Sequence, residues 1–105
     1  MNNNVKLMNN NKILKDAIET SGRYSANNIK VFETLADYAV DGKVFLSVKE
    51  IQKKTNMKRS SVYFALNNFQ KDGLLVKDKT QMGAFVFQKD KIDFLISLYK
   101  KKQSI

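Results

Sequence analysis

A capping box at residues 47–50 constrains the fold of this chain more than any other sequence feature. Its sequence is Ser47-Val48-Lys49-Glu50. The Ser47 hydroxyl can accept a hydrogen bond from the Glu50 N–H, and the Glu50 carboxylate can accept one from the Ser47 N–H. Because this reciprocal pair fixes the first turn of a helix, the sequence predicts a helix over about residues 48–55.

A tight turn and a second helix follow directly. Thr55-Asn56-Met57 interrupts the first helix, and asparagine is the non-glycine residue that adopts positive φ most readily. The second helix is predicted over about residues 59–72, before Gly73. At about 100° per residue its apolar side chains fall on one side, which predicts the face that packs on the core. These residues are Val62, Ala65, Leu66 and Phe69.

The flanking sequence predicts a mainly α fold with a small β-hairpin. Apolar spacing indicates helices over about residues 12–20, 26–40 and 91–102. We expect Ser25 to cap the second of these, Asp41-Gly42 to end it, and Asp90 to cap the third. Short β-prone runs lie at residues 44–46, 74–77 and 84–87, and the last two form the hairpin. The asparagine-rich residues 1–11 predict a flexible arm, and residues 12–105 a single domain.

The order of these elements resembles the winged helix-turn-helix. Residues 47–75 resemble the signature of bacterial winged-helix regulators, in which a capped helix, a three-residue turn and a recognition helix precede a glycine and the apolar start of the wing. The resemblance covers about residues 26–88 and implies a DNA-binding winged helix with extra N-terminal and C-terminal helices. Two positions depart from the pattern. Asn56 replaces the usual turn glycine, and Lys58 replaces the serine or threonine that caps the recognition helix.

The positive charge of the chain is concentrated in its second half. The 105 residues carry a formal net charge of +9. Residues 1–46 hold six basic and five acidic residues, whereas residues 47–105 hold thirteen and five. Such a field attracts polyanions such as DNA, RNA or an acidic membrane. The alternative is a lysine-rich surface that only maintains solubility.

Composition argues against most catalytic chemistry. The chain has no histidine and no cysteine, which removes the commonest metal ligands and proton shuttles. Its four isolated glycines form no phosphate-binding loop. We therefore expect no enzyme, no metal, no cofactor and no small-molecule ligand. A polar N-terminus and the lack of a membrane-length apolar run predict a cytoplasmic location without a membrane partner.

The outward face of the second helix carries the candidate base-reading residues. Asn67 can pair with adenine N6 and N7. Phe64 either contacts a thymine methyl group or is buried against an N-terminal element or a dimer partner. Lys58 and Arg59 can contact guanine or phosphate. Because lysine cannot accept a hydrogen bond, this helix either starts uncapped or is capped by Ser60, and N–H groups left free meet either a phosphate or water. Lysines of the preceding helix and of the hairpin are expected to contact phosphate. The predicted DNA-binding residues are Lys49, Lys58, Arg59, Ser60, Ser61, Tyr63, Phe64, Asn67, Lys71, Lys77, Lys79 and Gln81.

The last helix predicts a partner chain. Ile92, Leu95, Ile96 and Tyr99 form one apolar stripe, and Phe94 and Leu98 form a second. One helix of a small domain cannot bury both stripes on its own core, so we expect a two-fold homodimer. The predicted interface consists of Ile13, Leu14, Ile18, Phe94 and Leu98. In the alternative, residues 12–20 cover the second stripe within one chain.

Three functions fit these features. The first is sequence-specific binding to double-stranded DNA by a small dimeric transcriptional regulator that acts by occupying its site. The second is a plasmid or phage replication or partition protein that binds repeated DNA sites, whose winged-helix modules this lysine- and asparagine-rich sequence also resembles. The third is a winged-helix module for protein interaction, in which the charge is incidental.

Overall fold

The computed structural model of the protein describes residues 12–80 and 83–103. Within these residues the chain is mainly helical, with a small three-stranded antiparallel sheet. The helices are α1 (12–20), α2 (Ala26–Asp37), α3 (Val48–Thr55), α4 (Arg59–Lys71) and α5 (Lys89–Gln103). The strands are β1 (Lys43–Phe45), β2 (Leu75–Lys77) and β3 (Ala84–Phe87). The flexible arm predicted at residues 1–11 lies outside the described residues.

The sheet joins two distant parts of the chain. Its strand order is β1-β3-β2, so the third strand lies in the middle and pairs with both neighbours. Val44 of β1 is opposite Phe85, and Val76 of β2 is opposite Val86. The predicted hairpin is thus confirmed, and it is anchored to a strand that precedes α3 and α4.

Helices α2 and α4 build the centre of the core. Val31, Phe32 and Leu35 of α2 are buried against Val62 and Phe69 of α4. The Phe32 ring lies 5.2 Å from the Phe69 ring and 5.3 Å from the Phe87 ring, in edge-to-face arrangements that aromatic rings favour. This cluster links α2, α4 and β3. It also confirms the predicted core face of α4, because Ala65 and Leu66 are buried as well.

The end of α2 differs from the prediction. The helix ends at Asp37 rather than near residue 40. Val40 instead forms a pair of backbone hydrogen bonds with Lys43, at 2.8 and 3.0 Å. Asp41 and Gly42, which lie between these two residues, adopt φ of 52° and 79°. A two-residue hairpin turn requires such positive φ angles. Asp41-Gly42 therefore turns the chain into β1 and does not end the helix.

The start of α5 also differs from the prediction. The helix begins at Lys89, so Asp90 lies in its first turn and is not its cap. The Gln88 carbonyl accepts the first helical bond from the Ile92 N–H at 2.9 Å. The Gln88 N–H in turn donates to the Leu74 carbonyl at 2.9 Å, which fixes this point at the end of the sheet. A long-range hydrogen bond thus sets where α5 begins.

Helices α1 and α5 pack together within one chain. The Tyr99 hydroxyl donates to the Asp16 carboxylate at 3.4 Å, and the Lys102 ammonium donates to the Thr20 carbonyl at 3.2 Å. Leu14 and Ile18, which the sequence placed in a dimer interface, are buried in the core of the single chain.

The predicted interface residues of α5 are placed differently. Phe94 and Leu98 remain 62% and 42% exposed, while Ile92 and Leu95 are buried. Ile13 of α1 is half-buried. The first stripe of α5 is therefore covered by its own chain, and the second stripe is left exposed by the residues that the structure describes.

A carboxyl pair between α1 and α2 makes stability depend on pH. The pKa of Glu33 is raised from 4.5 to about 7, first by burial, then by a hydrogen bond to Glu19 and by the charges of Glu19 and Asp37, while the charge of Lys15 opposes the shift. The folded state therefore holds a proton that the unfolded state releases. The free energy of unfolding should fall as pH rises from about 4.5 to about 7 and change little from this group above that.

Replacing Glu33 by glutamine tests this dependence. The amide cannot ionise, so Glu33→Gln should match the native protein near pH 4.5 and exceed its stability near pH 8 by about 1 kcal/mol, after discounting for solvent screening at a half-buried site. Urea unfolding at a series of pH values measures the difference. Asp90→Asn, which neutralises an exposed carboxylate on α5, is the control. Parallel pH profiles for the native protein and Glu33→Gln would contradict the assignment.

Candidate nucleic-acid interface

The predicted capping box sets the start of α3. The Ser47 hydroxyl accepts from the Glu50 N–H at 3.1 Å, and the Glu50 carboxylate accepts from the Ser47 N–H at 2.9 Å. The bond that the Ser47 N–H donates to the Glu50 carboxylate, followed by the Ser47 side chain, holds the pKa of Glu50 below its ordinary value. The helix spans Val48–Thr55, as the sequence predicts. Lys49 therefore projects from a first turn whose position is fixed by its neighbours.

A three-residue turn connects α3 to α4. Asn56 adopts φ of 57° and ψ of 39°, the left-handed conformation that the sequence predicts for it. Its N–H donates to the Gln52 carbonyl at 2.7 Å. The buried Thr55 hydroxyl donates to the Ile51 carbonyl at 2.7 Å, so the last turn of α3 is satisfied from within. Asparagine thus does here what glycine does in the related pattern, at a small steric cost.

Helix α4 begins without a side-chain cap. Lys58 occupies the N-cap position, and no side chain there accepts a hydrogen bond from the first turn. Ser60 lies inside the helix, which begins at Arg59. By contrast, the hydroxyls of Ser25 and Ser47 cap α2 and α3. The N–H groups at the start of α4 are therefore available to an acceptor from outside, beside two positive side chains.

The outward face of α4 is polar except for two aromatic rings. The exposed residues are Arg59, Ser60, Tyr63, Phe64, Asn67 and Lys71, and Ser61 is half-buried beside them. The thirteen residues of α4 include two cations and no carboxylate. The face that the sequence predicts to point away from the core does so.

Two adjoining clefts join this face to its surroundings. The first, between α3 and α4, is lined by Lys49, Gln52, Arg59 and Tyr63 together with Ser47 and Val48. The second, between α4 and the hairpin, shares Ser47, Val48 and Tyr63 with the first. It adds Asn67, Gln70, Lys77 and Lys79. Because the clefts share residues, the structure brings six of the predicted residues into one continuous surface. These are Lys49, Arg59, Tyr63, Asn67, Lys77 and Lys79.

The Arg59 side chain contacts Tyr63, one turn further along α4. Its guanidinium donates to the Tyr63 hydroxyl at 3.4 Å, and the guanidinium carbon lies 5.4 Å from the centroid of the Tyr63 ring. A cation over an aromatic face is held weakly at an exposed site, by about 0.5–1 kcal/mol. Arg59 is thus oriented over the first cleft while most of its donors remain free for another partner.

The acidic residue of the hairpin is neutralised by its neighbours. The Asp78 carboxylate accepts from the Thr80 hydroxyl at 2.6 Å and from the Thr80 N–H at 2.9 Å. It also pairs with the Lys43 ammonium at 3.2 Å. These contacts lower the pKa of Asp78 to about 2, and the two hydrogen bonds from Thr80 contribute the largest part of the shift. Asp78 therefore ties the hairpin to β1 and leaves the exposed Lys77 and Lys79 on the surface.

Other predicted residues lie around this surface. Ser60, Ser61 and Phe64 line a third cleft on the other side of α4, with Ser25, Asn27 and Asn28 of the α2 start. Lys58 and Lys71 are exposed near the two ends of α4. Gln81 lies outside the described residues.

The polar residues that line these clefts include five that the sequence did not indicate as DNA contacts, namely Gln52, Gln70, Ser25, Asn27 and Asn28. No local signal marks the two glutamines and the two asparagines. Ser25 was recognisable only as a helix cap, a role it has.

No protein-family model matches this chain, and neither a curated protein nor a solved structure is similar enough to count as a match. Of the helices in residues 12–80 and 83–103, none has the length and apolar character needed to span a membrane. The same residues contain no cluster of three or more acidic side chains that could hold a metal ion. The case for a function thus depends on the chemistry of the surface.

Proposed function

We propose that this protein is a winged-helix protein that binds double-stranded DNA in a sequence-specific manner and regulates transcription by occupying its site. One observation carries the proposal. The continuous surface formed by α3, α4 and the hairpin gathers Lys49, Arg59, Asn67, Lys77 and Lys79, and the acid among them, Asp78, is already paired. An interface for a polyanion needs clustered cations, and one for bases also needs amide or aromatic groups between them.

The shape of α4 supports duplex DNA as the polyanion. A helix with its side chains is about 10–12 Å across, and the major groove of B-DNA is about 12 Å wide. The outward face of α4 is exposed along the whole helix, from Ser60 to Lys71. The flanking hairpin and α3 then lie on either side of the groove, where lysines contact phosphates.

The order of the elements supports the winged-helix architecture. A strand precedes α3, and a hairpin that pairs with this strand follows α4. In this arrangement α4 is the recognition helix and the segment Leu75–Phe87 is the wing. Lys58 and Arg59 then meet a phosphate at the uncapped start of α4, and Asn67 faces adenine in the groove.

We also propose that the protein binds as a two-fold dimer. Phe94 and Leu98 form an exposed apolar stripe on α5, which residues 12–80 and 83–103 do not cover. Two copies joined through this stripe would present two α4 helices to successive turns of the duplex, about 34 Å apart.

Selection from random duplexes tests both proposals. Immobilised protein is incubated with a library of random 30-base-pair duplexes at about 0.15 M salt, where non-specific attraction is screened. After several rounds the bound pool should contain a consensus formed of two inverted half-sites. When the selected site is placed across a promoter, adding the protein should lower transcription from that promoter in vitro.

The outcome separates the claims. A consensus with a single half-site would contradict the proposed dimer but would agree with sequence-specific DNA binding. Weak binding that salt abolishes, without any consensus, would contradict sequence-specific recognition. The control is the Lys58→Glu/Arg59→Glu protein, which should enrich no sequence.

A further inference from the structure

Phe64 is an apolar residue on the face of α4 that points away from the core. Its side chain is 64% exposed, whereas Phe69 of the same helix is fully buried. Leaving a phenylalanine in water forgoes the free energy that its burial would yield. Among the described residues, Phe64 is not part of the buried core.

The surroundings of Phe64 are polar. The cleft that it lines is otherwise formed by Ser25, Asn27 and Asn28 of α2 and by Ser60 and Ser61 of α4. A surface that docks a protein is centred on contiguous apolar side chains. A single phenylalanine ring surrounded by hydroxyl and amide groups instead complements a ligand surface of mixed character. Such a surface presents one apolar group among hydrogen-bond donors and acceptors.

The major-groove edge of a thymine–adenine pair has this composition. Thymine presents the O4 acceptor and the C5-methyl group, and adenine presents the N7 acceptor and the N6 donor. The cations Lys58 and Arg59 at the start of α4 complement the adjoining phosphates. The occupant that fits the chemistry around Phe64 is therefore a base pair.

We infer that Phe64 reads the methyl group of a thymine while Asn67 pairs with the adenine of the neighbouring base pair. This inference rests on the proposed function. The two residues are three positions apart, which is about 4.5 Å along the helix axis. Successive base pairs are about 3.4 Å apart, so two side chains at this spacing reach adjacent pairs. The recognised site accordingly contains two adjacent A·T pairs.

Deoxyuridine substitution tests the inference, since it removes only the thymine methyl group. The probe is the duplex selected by the native protein, with each thymine replaced in turn. Fluorescence anisotropy should show one position at which the replacement weakens binding by the native protein about fourfold, the value expected for one buried methyl group. Phe64→Ala should bind the thymine and deoxyuridine duplexes equally well at that position.

Tyr63→Ala provides the matched control. Tyr63 is the neighbouring exposed aromatic residue of α4, and it lies over the other two clefts. Its removal should weaken binding to both duplexes by the same factor and so preserve the fourfold ratio. Phe64→Leu, which keeps an apolar side chain, should retain part of the ratio.

Failure of the inference and failure of the proposed function give different results. If the native protein binds its selected site tightly but no deoxyuridine position matters, the role of Phe64 is overturned and DNA binding stands. If Phe64→Ala converts a dimer to a monomer in sedimentation, Phe64 is a protein contact and the inference is wrong. If no duplex is bound above background, both proposals fall.

Discussion

Reversing the charges of Lys58 and Arg59 is expected to weaken duplex binding by about 100-fold or more and to leave the fold intact. Both residues lie at the start of α4, where no side chain caps the helix. Each is exposed, and neither side chain contributes to the core. A hydrogen bond to a charged group is worth about 1.5–3 kcal/mol, so losing two of them reduces affinity by about 100-fold or more.

Salt dependence identifies the lost contacts. Each phosphate neutralised by the protein contributes about 0.9 to the slope of log affinity against log salt concentration. For Lys58→Glu/Arg59→Glu the slope should decrease by about 2, measured by anisotropy between 0.05 and about 0.2 M salt. The thermal midpoint should stay within a few degrees of the native value, since exposed substitutions change stability by less than about 0.5 kcal/mol.

The matched control applies the same charge change elsewhere. Lys89 and Lys100 are exposed on α5, and Lys89 pairs with the exposed Asp93 across one helical turn. Lys89→Glu/Lys100→Glu should weaken binding by about threefold or less, because charges beyond about 8 Å are screened at physiological salt. Equal losses in both variants would mean that net charge, and not the α4 start, attracts the DNA.

Replacing Phe69 by alanine should have the largest effect on stability. Its ring is fully buried, with the Tyr24 and Phe32 rings each 5.2 Å away. Removing a buried phenylalanine costs about 3–5 kcal/mol, and a domain of this size has about 5–15 kcal/mol in total. Urea unfolding followed by circular dichroism should show a midpoint shifted far towards zero denaturant.

Phe64→Ala is the control for this experiment, since it makes the same substitution on the opposite face of the same helix. Because Phe64 is largely exposed and alanine favours helix more than phenylalanine, we expect a change of no more than about 0.5 kcal/mol. Similar losses in the two variants would contradict the orientation of α4 on which the candidate interface depends.

The bounds of α3 were predictable because local interactions set them. The capping box closes hydrogen bonds between residues three apart, and Asn56 ends the helix through its own conformation. The core face of α4 was predictable for a related reason, since helical periodicity groups its apolar side chains wherever the helix lies. The sequence also showed that Lys58 cannot cap α4, but it left a cap by Ser60 open, and the structure shows no side-chain cap there.

Elements whose ends depend on distant partners were predicted less well. Asp41-Gly42 is a stop signal for a helix and also a hairpin turn, and the choice follows from the pairing of β1 with β3. The start of α5 follows from the bond between Gln88 and Leu74. The apolar face of residues 12–20 was visible, but whether it packs within the chain or on a partner depends on the position of α5.

The capping box thus determined, through bonds within one helical turn, where the pair of helices begins, and the left-handed conformation of Asn56 determined where the chain turns between them. Sequence periodicity then identified which side of α4 faces outward. Only the tertiary structure decided what surrounds that side, because the hairpin lysines, the Lys43–Asp78 pair and the polar start of α2 arrive from distant positions in the chain. Their arrival follows from packing and strand pairing, which local preference does not encode.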